Sequence, residues 1–422
     1  MTAFALSPSV APPLRRRSAT HILALVLVWL TVVSGAAVAS EPAPVDVLTL
    51  GLVMLLPLIG LVAISRPLVG LLALMLVAAA GAYLAAGMAV EVGKAVTHTS
   101  VSLYLYVATF ILAAFVAKRP EAHTRLILDA YLWAATLAAL AGIVGYFDLF
   151  PGAHELLTRY DRATGLFKDP NVFGPFLVPA LVYAASRLAA LPARKGIVPL
   201  VVLLLAGLAM LLSFSRGAWL NLMVALAVYG VLYLLTLRSR RARLRFACLA
   251  AAGLLALAAL IAVALQLDAV ARLYDERAAL TQSYDEGPEG RFGGQLKAAA
   301  LALDNPLGLG AQQFVPHYHH EEPHNVYVAM LLNAGWLGGL AFIALVGSTA
   351  LWGLVHAFER GPTQPLFLVV YASLLGHVLE GFIIDLDHWR HFYLLMALAW
   401  GLMLGGRGRT PPVRPVIPAA RG

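Results

Sequence analysis

The chain has 422 residues, of which 61% are hydrophobic and only 12% charged. A soluble domain carries about 25% charged residues, so this composition excludes an ordinary soluble enzyme and points to a polytopic membrane protein. The net charge of +8 is therefore read for its sidedness rather than as a sign of nucleic acid, and the single cysteine, Cys248, excludes an intrachain disulfide and a Cys-based metal site.

Taken in order, Arg15-Arg16-Arg17 precedes an apolar run at about 21–39. Ala37-Val38-Ala39 resembles a small-residue cleavage site, but the run exceeds the roughly 7–15 residues of a signal h-region, so an uncleaved helix is expected. Further runs, long enough to cross an apolar core of roughly 30 Å, lie at about 47–64, 68–90, 100–117, 124–147, 171–190, 197–214, 217–237, 246–267, 330–357, 365–384 and 390–406. Together they predict an all-α membrane protein of about twelve transmembrane helices. Pro57, Pro175 and Pro179 fall inside these runs, where neighbouring helices can satisfy the freed backbone groups.

The implied divisions are a cytoplasmic segment at 1–20, nine spans over 21–267, a loop at 268–329, three spans over 330–406 and a cytoplasmic tail at 407–422. Threading the runs alternately puts about 20 of the 30 basic residues on one side with only about 3 of the 22 acidic ones. That side is cytoplasmic by the positive-inside rule, and the Arg238–Arg245 block is a topology anchor. The opposite, extracytoplasmic side receives 148–170, the Phe214-Ser215-Arg216-Gly217 turn, the long loop, and Asp385-Leu386-Asp387-His388-Trp389-Arg390.

Nearly every unusual polar cluster thus faces outward. Arg216 sits in a turn of a few residues where positive charge is otherwise sparse; beside Gly217 it suits either lipid headgroups or a phosphate ligand. Arg162-Ala-Thr-Gly-Leu-Phe-Lys168-Asp-Pro-Asn171 ends an outer loop at a helix entry. It reads as turn and cap chemistry or as a stretch whose Arg162 and Lys168 line an anionic pocket. In the long loop, Ala269–Tyr284 reads as a surface helix, and Arg291 opens a second helical stretch to about Leu303. An arginine at a helix N-terminus makes a good anion site.

The stretch His317-Tyr318-His319-His320-Glu321-Glu322-Pro323-His324-Asn325 admits a divalent metal, yet its spacing matches no metal signature. A second reading takes His324 alone as a general base at the point where the loop re-enters the membrane.

His324-Asn325, nine residues, then Gly335-Trp336-Leu337-Gly338 resembles the H-[NSQ]-x9-G-x-x-G signature of the bacterial O-antigen ligase family. Ser215-Arg216-Gly217 resembles that family's Ser-Arg-Gly segment, Arg291 its second functional arginine, and Arg162 to Asn171 its Arg…Gly-x-Phe-x-x-Pro-Asn stretch. The resemblance covers roughly residues 160 to 340.

It implies a GT-C-like integral membrane glycosyltransferase of the bacterial inner membrane, with a long helical periplasmic loop and a periplasmic active site. The donor implied is a glycan on undecaprenyl pyrophosphate, used in an inverting, metal-independent transfer with no cofactor. Arg216 and Arg291, with Arg162 and Lys168 as further candidates, would hold the pyrophosphate, and His324 would take the acceptor proton. Asn325 would orient it, and Gly335 and Gly338 would permit close helix packing.

The acceptor implied is lipid A–core for a ligase or a growing glycan for an O-antigen or exopolysaccharide polymerase. A lipid-linked glycan transporter is the alternative from another class. The near absence of ionisable residues within the predicted spans weighs against it, as does the lack of an internal repeat.

Overall fold

A computed structural model describes residues 19–190, 195–264, 266, 287 and 290–405. A helix occupies every one of the twelve apolar runs. In chain order these are α1 (Ala19–Ser34), α2 (Pro44–Leu58), α3 (Arg66–Ala86), α4 (Val92–Lys118) and α5 (Pro120–Tyr146). After the one-turn α6 (Ala153–Leu157) come α7 (Pro170–Ala190), α8 (Ile197–Leu212), α9 (Arg216–Thr236) and α10 (Arg240–Ala264). The long loop contributes α11 (Arg291–Asp304) and the short α12 (Phe314–His317), and the chain continues with α13 (Val326–Ala357), α14 (Gln364–Glu380) and α15 (Arg390–Gly405).

Among the described residues six of these helices, α3, α4, α5, α7, α9 and α13, are long and apolar enough to cross a membrane; α1, α2, α8 and α14 are apolar but shorter. The surface helix expected at 269–284 lies outside the described residues, as do most of the segments before α1 and after α15. Two small ladders interrupt the helical pattern: Ala37–Val38 runs parallel to Leu166–Phe167, and Thr158–Arg159 pairs antiparallel with Arg162–Ala163. The first ladder fixes the α1–α2 connection against the loop before α7.

Local chemistry sets the helix ends that matter for the site. Pro occupies the first turn of α2, α3, α5 and α14, where its missing N–H is not needed. The Ser215 hydroxyl caps α9 by accepting from the Ala218 N–H at 3.3 Å, and the Asn325 side-chain oxygen caps α13 from Tyr327 and Val328 at 3.1 and 3.2 Å.

The two motif glycines do different things. Gly335 breaks α13 with a φ of 65°, a conformation that disfavours any side chain. The 306–309 turn docks into that break, Trp336 N–H donating to Pro306 O and Leu309 N–H to Leu332 O, both at 2.8 Å. A Cβ on Gly335 would lie 2.6 Å from the Leu307 carbonyl. Gly338 instead lets backbones touch: its Cβ would sit 2.9 Å from Ala78 O on α3, and a Cβ on Gly81 of α3 would run into the Gly338 backbone. Close packing therefore describes Gly338, whereas Gly335 is needed for its backbone angle.

Candidate active site

His324 precedes the cap of α13 and is one of the few non-glycine residues with positive φ, at 51°. Such a conformation costs on the order of 1–3 kcal/mol and persists only where its surroundings hold it. The Asp385 carboxylate does the holding, accepting the N–H of His324 at 2.9 Å and of Asn325 at 3.1 Å. Gln295 of α11 donates to His324 O at 3.0 Å, and Val326 N–H to Gly381 O at 2.9 Å. The imidazole is 30% exposed, its Nε2 3.6 Å from Glu321 Oε2 and its Nδ1 4.0 Å from Asp385 Oδ2.

Burial lowers the His324 pKa below the usual imidazole value, and the Arg291 guanidinium lowers it further, against the raising pull of Glu321 and Asp169. A lowered value leaves the ring neutral at neutral pH, which is the state a general base needs. On its other side the acids are pushed the opposite way. Burial, then Asp387 and Glu322, raises Asp385 to about 8 although two N–H groups oppose the shift, and burial with Asp387 raises Glu322 to about 7.

Arg291 opens α11, with Gly290 at the N-cap in extended conformation. One guanidinium nitrogen, Nη2, donates to Ile383 O, and its Nε is buried without a hydrogen-bond partner among the described residues. A guanidinium in that state, at a helix N-terminus, presents an unmet donor to an anion.

Arg216 opens α9 one residue after the Ser215 cap, and the residue after it packs on Glu380 at the end of α14. A Cβ on Gly217 would lie 2.8 Å from Glu380 Oε1, so this glycine is required by a protein carboxyl group and not by a ligand approaching the backbone. Glu380 is buried, its Oε2 accepts from Asn221 Nδ2 of α9 at 2.7 Å, and Arg291 is within its electrostatic reach.

The six residues 380–385 thus touch every part of the arrangement: the Arg216 turn through Glu380, Arg291 through Ile383, and His324 through Asp385. The turn that opens α9 with Arg216, the start of α11 with Arg291, and the His324 backbone all adjoin this segment. Asp385 lies within a polar cluster visible in the sequence, but nothing there pointed to its two backbone bonds. Glu380 gave only the signal of a carboxyl at a helix end.

Arg162 and Lys168 are engaged elsewhere. Arg162 is 6% exposed, donating from Nε to Ser213 O at 2.7 Å and from Nη2 to Asn171 Oδ1 at 2.8 Å. It ties the loop before α7 to the turn before α9. Lys168 pairs with Glu41 at 3.3 Å, both side chains well exposed. Asp169, its neighbour, reaches His324 electrostatically, so this stretch borders the site.

Of the other loop histidines, His319 and His320 lie together, with ring centroids 4.5 Å apart. His319 is buried against Gly294, where a Cβ would meet its ring at 2.9 Å, and lies near Phe314 and His320. Among the described residues the group whose side chains suit a metal ion is instead His98, Asp387 and His388, with ligand atoms within 4.8 Å of one another. The His98 and His388 rings are stacked, with centroids 3.8 Å apart and an interplanar angle of 23°. In-plane lone pairs on stacked rings run side by side, whereas a shared metal needs them to converge.

No protein in a search of curated sequences matches the chain. Residues 201–343, the segment that carries Arg216, Arg291, His324 and both motif glycines, match the family model described as O-antigen ligase.

Proposed function

We propose that the protein is a glycosyltransferase of the bacterial inner membrane that moves a glycan from undecaprenyl pyrophosphate to an acceptor hydroxyl at the periplasmic face, most simply O-antigen onto lipid A–core. The observation that carries this reading is the convergence of Arg216, Arg291 and His324 on the 380–385 segment, inside a stretch of O-antigen ligase type. In the reaction the acceptor oxygen attacks the anomeric carbon as the carbon–oxygen bond to pyrophosphate breaks. The electron pair leaves with the lipid pyrophosphate, and the acceptor proton goes to His324. Negative charge grows on the leaving group, and two guanidiniums at helix N-termini stabilise it without the need for a divalent ion. Arg162 and Lys168 serve the same site by fixing the loop that borders it.

A single displacement assisted by His324 as base inverts the anomeric carbon. His324→Ala, purified and reconstituted in proteoliposomes with lipid-linked glycan, is expected to lose about 10²–10⁴-fold in transfer rate while still binding undecaprenyl pyrophosphate. Full transfer by that variant would falsify the base assignment. Supplying lipid A–core in one reaction and lipid-linked glycan alone in another separates ligase from polymerase: elongation without transfer to the core rejects the ligase.

A further inference from the structure

Beside Asp385, which holds the His324 backbone, a cavity of about 280 Å³ opens between α1, α2, α4, α5, α7 and α15. That is close to the lower end of the roughly 300–1,000 Å³ of small-molecule sites. Its two ends differ in chemistry. One end is apolar, walled by Val28, Leu52, Leu105, Leu112 and Phe176. The other end is polar, with Asp385, Asp387, His388, Lys168, Glu41 and Arg390. Asp385 lines this cavity and also holds the His324 backbone, so the polar end adjoins the proposed base.

The charges at the polar end decide what it accepts. Both cations are already paired: Lys168 with Glu41 at 3.3 Å, and Arg390 with Asp46 through Nε at 2.7 Å and Nη2 at 2.8 Å. Asp387 remains, and burial together with its charge raises Asp385 to about 8, so that Asp385 is largely protonated at neutral pH and offers a neutral hydroxyl beside the Asp387 carboxylate. An anionic pyrophosphate is repelled here and drawn instead to the arginine side.

A hydrocarbon chain alone does not fit either. His391, 5% exposed, also lines the cavity, and its Nε2 has no hydrogen-bond partner among the described residues. A ligand hydroxyl can give or take the missing bond, as can hydroxyls facing the carboxyl groups. No residue lining the cavity falls within 201–343, so the pocket is built wholly by the parts of the chain outside the segment that carries the proposed donor chemistry.

We propose that this cavity is the acceptor subsite, and that it takes a neutral, hydroxyl-bearing sugar head attached to a hydrocarbon tail. The proposal rests on the transferase reading in calling the ligand an acceptor, but its binding chemistry stands without turnover. The head lies among Asp385, Asp387 and His388, the tail runs toward Leu112, and the accepting hydroxyl approaches His324 from the face opposite Arg291.

The test uses the full chain in nanodiscs and two amphiphiles, dodecyl glucoside and dodecyl glucuronide, which differ by one carboxylate on the head. Binding is read by thermal stabilisation and by direct titration. The wild type is expected to bind the neutral glucoside at least about tenfold more tightly than the glucuronide, and Asp387→Asn is expected to narrow that gap to about threefold or less. Ala108→Leu, a modest filling of the wall, and the bulkier Leu112→Trp should each weaken both amphiphiles while leaving undecaprenyl pyrophosphate binding unchanged. Equal binding of the two heads overturns the proposal, as does insensitivity to both wall variants or displacement of the glucoside by undecaprenyl pyrophosphate. If the wild type transfers no glycan to any acceptor but these binding results hold, the transferase reading fails and the amphiphile site stands.

Discussion

His324 stands between two unlike flanks. On one side are Arg291 and the Arg216 turn, both at helix N-termini, with the Arg291 Nε buried and unmet among the described residues. On the other are Asp385, Asp387 and Glu322, acids crowded so that burial and mutual repulsion raise two of them to about 8 and about 7. The nearby His388 is pushed down to about 4, chiefly by burial, and stays neutral. The base thus meets two kinds of surroundings: guanidinium donors that attract an anionic leaving group, and carboxyl groups, raised toward their neutral form, that suit a neutral hydroxyl. A site that must bring a charged donor and a neutral acceptor to one imidazole gains selectivity from that asymmetry, because the wrong substrate on either side meets like charge or unmet donors.

The comparison is broken most severely from the cationic side. Arg291→Gln removes the charge that faces the departing pyrophosphate, and transfer is expected to fall by about 10²–10³-fold, the scale of losing one preorganised electrostatic partner. The loss should appear in kcat and in donor KM, with acceptor KM unchanged. Arg291→Lys should recover only part of it, since an ammonium keeps the charge but not the planar fork that reaches Ile383 O while offering Nε inward. Steady-state kinetics with donor and acceptor varied separately checks this, and a change confined to acceptor KM would place Arg291 on the wrong flank.

A smaller effect is expected from the acidic side. Asp385→Asn leaves one side-chain oxygen to do the work of two, because the amide nitrogen faces a backbone N–H with nothing to accept. One of the bonds at 2.9 and 3.1 Å is lost, and the left-handed backbone of His324 loosens. A net hydrogen bond is worth about 1 kcal/mol, so a fall of about fivefold in kcat is expected, with donor binding intact. Equal loss of donor binding would show that Asp385 supports the whole site rather than the base.

Much of the frame is legible in the sequence because it depends on local composition. Runs of apolar residues of spanning length became helices wherever they occur. Arg216, Arg291 and His324 are legible through their order and spacing. The residues that bind these three into one place are not, since their roles exist only across the fold. Asp385 reaches His324 over 61 positions and Glu380 reaches Asn221 over 159. Gly217 shows the same limit from another direction. A glycine beside an arginine reads as room for a phosphate, but the space is filled by a carboxyl from a helix far along the chain. Arg162 and Lys168 have the charge for an anion site, and only three-dimensional contacts show it spent on Asn171, Ser213 O and Glu41.

The finest test concerns pH, because Arg291 and Glu321 pull the His324 pKa in opposite directions. Arg291, a nearby positive charge, disfavours the imidazolium and lowers the pKa; Glu321, 3.6 Å from Nε2, favours it and raises the pKa. Transfer requires the neutral ring, so the acid limb of kcat/KM should fall off below the range of an ordinary imidazole. Removing the positive charge in Arg291→Gln should let the pKa rise and move that limb to higher pH. Removing the negative charge in Glu321→Gln should move it to lower pH, with little change in the plateau rate. Each displacement is expected to be about one pH unit or less, given the screening of partly exposed groups. Rates normalised to each variant's plateau isolate the displacement from the larger loss in Arg291→Gln. Limbs that move the same way in both variants, or stay fixed in both, would mean that the group titrating in transfer is not His324, and the two-flank arrangement would then concern binding alone.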